Sequence, residues 1–268
     1  MLKDVTLGQF FPGDTFAHRL DPRTKLIFIV IYMAALFTAK TVLAYAVMAF
    51  TLAVMAAVSK TRVKMLVSGL KPLVIVLIFT AVLNILYTPG DTVLFKFWIF
   101  TATLEGVITA VRMMLRIIML VMGTAILTYV TSPLALTDGL ESLLKPLNKI
   151  KVPVHEMSMI MSIALRFIPT IIEETDKIMN AQKARGADFE TGGILKKAKA
   201  MMPILVPLFV SSFRRADELA IAMESRCYHG GEGRTRMKVL TYKGIDALAV
   251  VFGLCVLALT IISGRYFL

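Results

Sequence analysis

The chain has 268 residues, of which 57% are hydrophobic, with a mean hydropathy of +0.75 and a formal net charge of +12. Soluble domains run at roughly 45–50% apolar, and Cys227 and Cys255 are too few for a secreted disulfide scaffold. A soluble fold, a disulfide framework and intrinsic disorder are all excluded, which leaves a polytopic membrane protein carrying a basic surplus.

Residues 1–25 include Asp4, Asp14 and Asp21 and lack the apolar centre of a signal peptide, so the run beginning at Leu26 reads as a retained span. Spans are expected at 26–39, 41–59, 73–87, 107–130 and 245–262. Lys40 alone separates the first two, which requires a tight turn, since one helix across both would be too long for a single crossing. Between spans three and four, Leu94 to Phe100, with Phe95, Phe97 and Trp98, is too short to cross and suits the membrane–water interface.

Basic residues set the orientation. Lys3, Arg19, Arg23 and Lys25 precede span one, Lys60, Arg62, Lys64 and Lys71 lie in the loop after span two, and residues 131–243 hold seventeen more. The opposite side has Lys40, Lys96 and Arg265, while Arg112 and Arg116 fall within span four. The expectation is a multi-pass protein of the cell membrane with a cytoplasmic N-terminus. Its sections are the opening segment with four spans at 1–130, a cytoplasmic insertion at 131–243 and a last span at 244–268. The insertion reads as helix over 134–149, over 154–185 with a bend at Pro169, and over 194–226. The two long helices share a plan, apolar first and polar later, and a weak repeat at an offset of 41. Asp176, Ala181 and Arg185 correspond to Asp217, Ala222 and Arg226. Two further crossings through 154–172 and 200–213 are the rival topology, against which Lys196, Lys197 and Lys199 argue.

No Gly-Lys pair exists for a phosphate-cradling loop, and Gly230-Gly231-Glu232-Gly233-Arg234 has no strand before it, so any energised work draws on a partner. Met159 stands where a zinc motif begun by His155-Glu156 needs its second histidine, and no metal, cofactor or catalytic residue is expected. A lipid-modifying intramembrane enzyme using Glu173, Glu174 and Asp176 is the alternative function, and a self-sufficient channel is disfavoured by the scarcity of polar residues in the spans. Arg112 and Arg116 either reach the interface or backbone carbonyls, or serve transport directly. The seventeen methionines either fill packing gaps or form a pliable partner surface. Arg185 before Gly186 and Arg226 before Cys227 either cap their helices or point into acidic grooves of a partner.

Pro12-Gly13-Asp14-Thr15 followed by His18-Arg19-Leu20-Asp21-Pro22-Arg23-Thr24-Lys25 resembles the transmembrane T component of energy-coupling factor importers, ABC-type uptake systems for vitamins and trace metals. The resemblance spans nearly the whole chain. It implies an all-α fold with about five transmembrane helices and a cytoplasmic coupling region of long crossing helices. It also implies two cytoplasmic ABC ATPase subunits, one or more membrane-embedded substrate-binding S components, contact with the lipid bilayer and no nucleic acid. The family's coupling motif falls on Ala184, Arg185 and Gly186, and its second copy on Ser225, Arg226 and Cys227, where only the arginine is kept. The implied role is a non-catalytic transducer, with ATP hydrolysed in the partners.

Overall fold

Helix follows hydropathy along most of the chain, and the breaks fall at residues with a physical reason to stop it. A computed structural model describes residues 10–90, 92–97, 100–189, 193–231 and 239–266. Lys3, Asp4, Trp98, Ile99 and the loop residues Glu232, Gly233 and Arg234 lie outside the described residues. Two units emerge, one of residues 8–140 with 240–268 and one containing 141–239.

The first unit opens with the short α1 (Phe16–Arg19), then α2 (Pro22–Thr38) and α3 (Val42–Ser59). Pro22 sits at the start of α2, where its missing N–H costs nothing. Thr41 begins α3 by accepting a hydrogen bond from the Ala44 N–H, and Thr103 does the same for Gly106 at the head of α6 (Leu104–Val130). The segment 60–71, expected as a loop, is instead largely helical: α4 (Val63–Leu70) runs through a 3-10 turn, Lys71–Leu73, into α5 (Val74–Tyr87). Val63, Leu66, Val67 and Leu70 fall on one helical face, with Leu66 buried, a spacing that the density of lysines obscures. Pro72 is tolerated because it enters at the start of the 3-10 turn. The stretch between spans three and four forms an antiparallel hairpin, β1 (Val93–Phe97) with β2 (Phe100–Thr103), a small addition to an otherwise all-α fold. α7 (Pro133–Leu144) crosses the boundary between the units, and α10 (Gly244–Tyr266) returns to the first.

Val42–Ser59, Val63–Tyr87, Leu104–Val130 and Gly244–Arg265 are long and apolar enough to cross a membrane. α2, at seventeen residues, is the shorter fifth element and the best packed, burying Ile29, Tyr32, Ala35 and Leu36. It meets α6 at Gly123, where a Cβ would stand 2.5 Å from Cε1 of Tyr32; the Tyr32 hydroxyl then donates to the Met119 carbonyl at 3.1 Å. Small residues at such crossings let backbones approach closely without water to drive the packing. Gly253 of α10 admits the Phe28 ring, which stacks on Phe252, and Gly106 lets α6 close on the Asn84 and Ile85 carbonyls of α5.

The opening motif is structural. His18 donates from Nε2 to the Phe11 carbonyl at 2.9 Å, which leaves Nδ1 to accept from the Thr15 hydroxyl. Lys25 is buried and donates to the carbonyls of His18 and Val130, so it ties the start of α2 to the end of α6. Arg23 donates to the Leu240 carbonyl and lies over the Tyr242 ring, while the Asp21 N–H donates to the buried Asp246 carboxylate at 2.8 Å. Asp246 also accepts from its own helix start, at the Lys243 N–H. The starts of α2 and α10 are thereby clasped together.

Candidate functional site

The second unit is dominated by α8 (Val154–Ala184) and α9 (Ile194–Glu224), each of thirty-one residues. Both contain proline within the helix, Pro169 in α8 and Pro203 and Pro207 in α9. Their contact is polar at one point: Arg215 Nη2 donates to Glu174 Oε2 at 2.8 Å, the Ser211 hydroxyl donates to the other carboxylate oxygen, and the guanidinium lies over the Phe167 ring. Each side chain of the ion pair is about a quarter exposed, at 27% and 26%, so solvent screens it only in part. Beside this pair, a crevice is lined by Ile163, Phe167 and Ile171 of α8 and by Arg215, Leu219 and Met223 of α9. The C-terminal turns of α9 therefore lie against turns of α8 that precede Glu174. The helices cross antiparallel, and their C-terminal ends leave the crossing in opposite directions.

Glu174 and Arg215 are separated by 41 residues, the offset of the weak repeat. Arg185 and Arg226 are each eleven residues beyond the pair, about 16 Å along a helix. At the first end, the Gly186 N–H donates to the Lys183 carbonyl and the Ala187 N–H to the Gln182 carbonyl, with Gly186 left-handed at φ +87°. This is a Schellman stop. At the second, the Cys227 N–H donates to Glu224 and the Tyr228 N–H to Met223, with Cys227 at φ +57°. Every position matches the first at the same offset. The change of Gly to Cys leaves the backbone geometry unaltered and places a side chain in a region that costs ~1–2 kcal/mol.

Ala184, Arg185, Gly186, Ser225, Arg226 and Cys227 are all exposed, and the Ser225 hydroxyl donates back to the Ile221 carbonyl. Neither Arg185 nor Arg226 has a side-chain partner among the described residues. Capping is accomplished by backbone alone, so the guanidiniums are left free to point outward. The acidic trio is divided: Glu174 is engaged at the crossing, and no group of three or more metal-ligating side chains is found among the described residues. The methionines divide between the two settings. Met48 and Met119 are buried in the first unit, whereas Met157, Met161, Met201 and Met202 are exposed. On α9, Met202, Val206, Phe209 and Phe213 form a stripe at helical spacing, exposed by 59–69%, an apolar surface of the kind that marks a partner or a membrane.

Sequence reasoning missed Glu174, Ser211 and Arg215 as the crossing contact. The repeat offset held the signal, since it sets opposite charges at equivalent positions of the two helices.

A family model described as a cobalt transport protein, CbiQ, matches residues 13–237. The chain is 51% identical over 262 residues to the energy-coupling factor transporter transmembrane protein EcfT of Acidaminococcus fermentans, covering 98% of this chain and 96% of that one. It is 52% identical over 265 residues to the protein of the same name from Clostridium kluyveri, covering 98% of each. The Bacillus subtilis protein of that name is 47% identical over 261 residues, covering 96% of this chain and 97% of that one.

Proposed function

The chain belongs to the family of transmembrane T components of energy-coupling factor transporters, and from that membership we propose that it carries ATPase motion to a substrate-binding S component during uptake of a vitamin or trace nutrient. It is a non-catalytic subunit, and two cytoplasmic ABC ATPases hydrolyse the ATP. In this reading the N-terminus is cytoplasmic and residues 131–243 form the coupling region on the same side.

One observation carries the proposal: two helix ends with the same Schellman geometry, each bearing a partner-free arginine, leave a single crossing in opposite directions. Fully antiparallel, the ends would stand up to about 33 Å apart, room for two separate subunits. Each arginine enters an acidic groove of one ATPase, where a bidentate guanidinium–carboxylate pair gives directional grip. When the ATPases approach each other on binding ATP, the ends of α8 and α9 move with them. The exposed stripe of α9 and Met157 and Met161 of α8 bear on the S component, and their pliable side chains accept more than one such partner.

The test is Arg185→Glu with Arg226→Glu in the full chain, co-expressed with its ATPases and one S component. The variant is expected to insert normally, to lose the ATPases on purification and to lose uptake. Normal assembly with normal uptake would overturn the proposal.

A further inference from the structure

α6 is far longer than α2 and α3, the helical pair joined by the turn at residues 39–41. Its twenty-seven residues extend about 40 Å, against about 26 and 27 Å for α2 and α3. The α2–α3 turn meets it part-way along: Arg116 Nη2 donates to the Ala39 carbonyl at 3.1 Å, twelve residues into α6. At that level a groove of about 650 Å³ is lined by Lys40, Thr41, Val42, Arg112 and Arg116 among others, and no acidic side chain lines it.

Its electrostatics are one-signed. Lys40 and Arg112 are exposed, and neither has a partner among the described residues. The Nε of Arg116 is buried without an acceptor among the described residues, although buried guanidinium donors are ordinarily paired. Val42 and Leu43, the first residues of α3, line the same groove, and the positive end of that helix adds to the cations. The flanks are of the opposite character: Val42 is 82% exposed and Phe37 60%.

We propose that this groove binds the phosphate of a phospholipid, with Lys40, Arg112 and Arg116 around the headgroup and the acyl chains along Phe37 and Val42. The shared chemistry is that of a phosphate anion, and the apolar flanks select the lipid over free phosphate, which would gain nothing from them. The short α2–α3 pair sets the depth in this proposal: its turn lies where the bilayer surface meets the protein, so the headgroup reaches arginines that would otherwise lie deep in a span.

The test uses the full chain purified in mild detergent and native mass spectrometry with added phosphatidylglycerol, glucosyl diacylglycerol or inorganic phosphate. The variant is Lys40→Gln with Arg112→Gln, because neither residue holds the fold, whereas Arg116 supports Ala39. Unchanged circular dichroism establishes folding. Phosphatidylglycerol adducts on the wild type, weakened on the order of tenfold or more in the variant and not formed with the phosphate-free glycolipid, are expected. Equal retention of the glycolipid, retention of phosphatidylglycerol by the folded variant, or displacement of the lipid by millimolar inorganic phosphate would each overturn the proposal.

Discussion

Exchanging the residues that end α8 and α9 isolates backbone strain from everything else. Cys227 is exposed and left-handed, so Cys227→Gly removes strain of ~1–2 kcal/mol and almost no packing. Glycine also gives the unfolded chain more freedom, a loss of ~0.4–1 kcal/mol. The net gain is therefore about 0.5–1 kcal/mol at the end of α9. Gly186→Ala is the reverse experiment: a Cβ there meets nothing within 4 Å, so only the φ of +87° opposes it, and a loss of the same size follows. Amide hydrogen exchange reads both locally. Protection of the Cys227 and Tyr228 amides, which donate to Glu224 and Met223, should rise about two- to fivefold in Cys227→Gly. Protection of the Gly186 and Ala187 amides should fall by a similar factor in Gly186→Ala. Unchanged or reduced protection in Cys227→Gly would refute the equivalence of the two ends.

Arg215→Ala removes the charged contact between α8 and α9 and should cost about 1–2 kcal/mol after partial screening. Spin labels at the exposed Ala184 and Ser225 should then report a broader distance distribution, and an unchanged one would deny Glu174–Arg215 its role. Asp246→Ala leaves the Asp21 and Lys243 N–H groups without their acceptor, a loss of about 1–3 kcal/mol that should lower the melting temperature in detergent. Asp246→Asn keeps one acceptor oxygen and should recover part of it; equal melting of all three proteins would refute the clasp. Gly123→Ala forces its new methyl against Tyr32 and should cost about 1–3 kcal/mol in thermal stability, with Tyr32→Leu restoring much of the loss in the double variant. Failure of the second change to rescue would place the strain elsewhere.

Helix positions were legible because hydropathy and capping residues speak locally: residues 154–185 and 194–226 were expected as helix and α8 and α9 occupy Val154–Ala184 and Ile194–Glu224. α4 was hidden because Lys64 within it and Lys60, Arg62 and Lys71 around it read as loop charge, although its apolar residues keep helical spacing. The hairpin of β1 and β2 was hidden because so short an aromatic stretch fits an interfacial coil as well as a strand pair. Cys227 concealed the second Schellman stop, since glycine is the usual sign of one and the hydrogen bonds that define it do not depend on the side chain. The opening motif behaved differently again. It carried the resemblance to the family, and its His18, Arg23 and Lys25 bind backbone carbonyls of the first unit, so a distinctive sequence marked a place of assembly.

The crossing divides α8 and α9 unequally, giving each a long arm and a short one. About twenty residues of α8 lie before Glu174 and about ten after it, and α9 divides almost identically around Arg215. With ~1.5 Å per residue, the arms are about 30 Å and 16 Å when measured to Arg185 and Arg226. In the coupling we propose, a displacement of the arginine-bearing tips would be magnified nearly twofold at the far ends, with force reduced in the same proportion. Pro169, Pro203 and Pro207 all lie on the long arms, and a bend there would spend travel before it reached the far ends. If α8 couples as proposed, filling the missing hydrogen bond by Pro169→Ala would stiffen the arm and lengthen the stroke delivered by the same motion at Arg185.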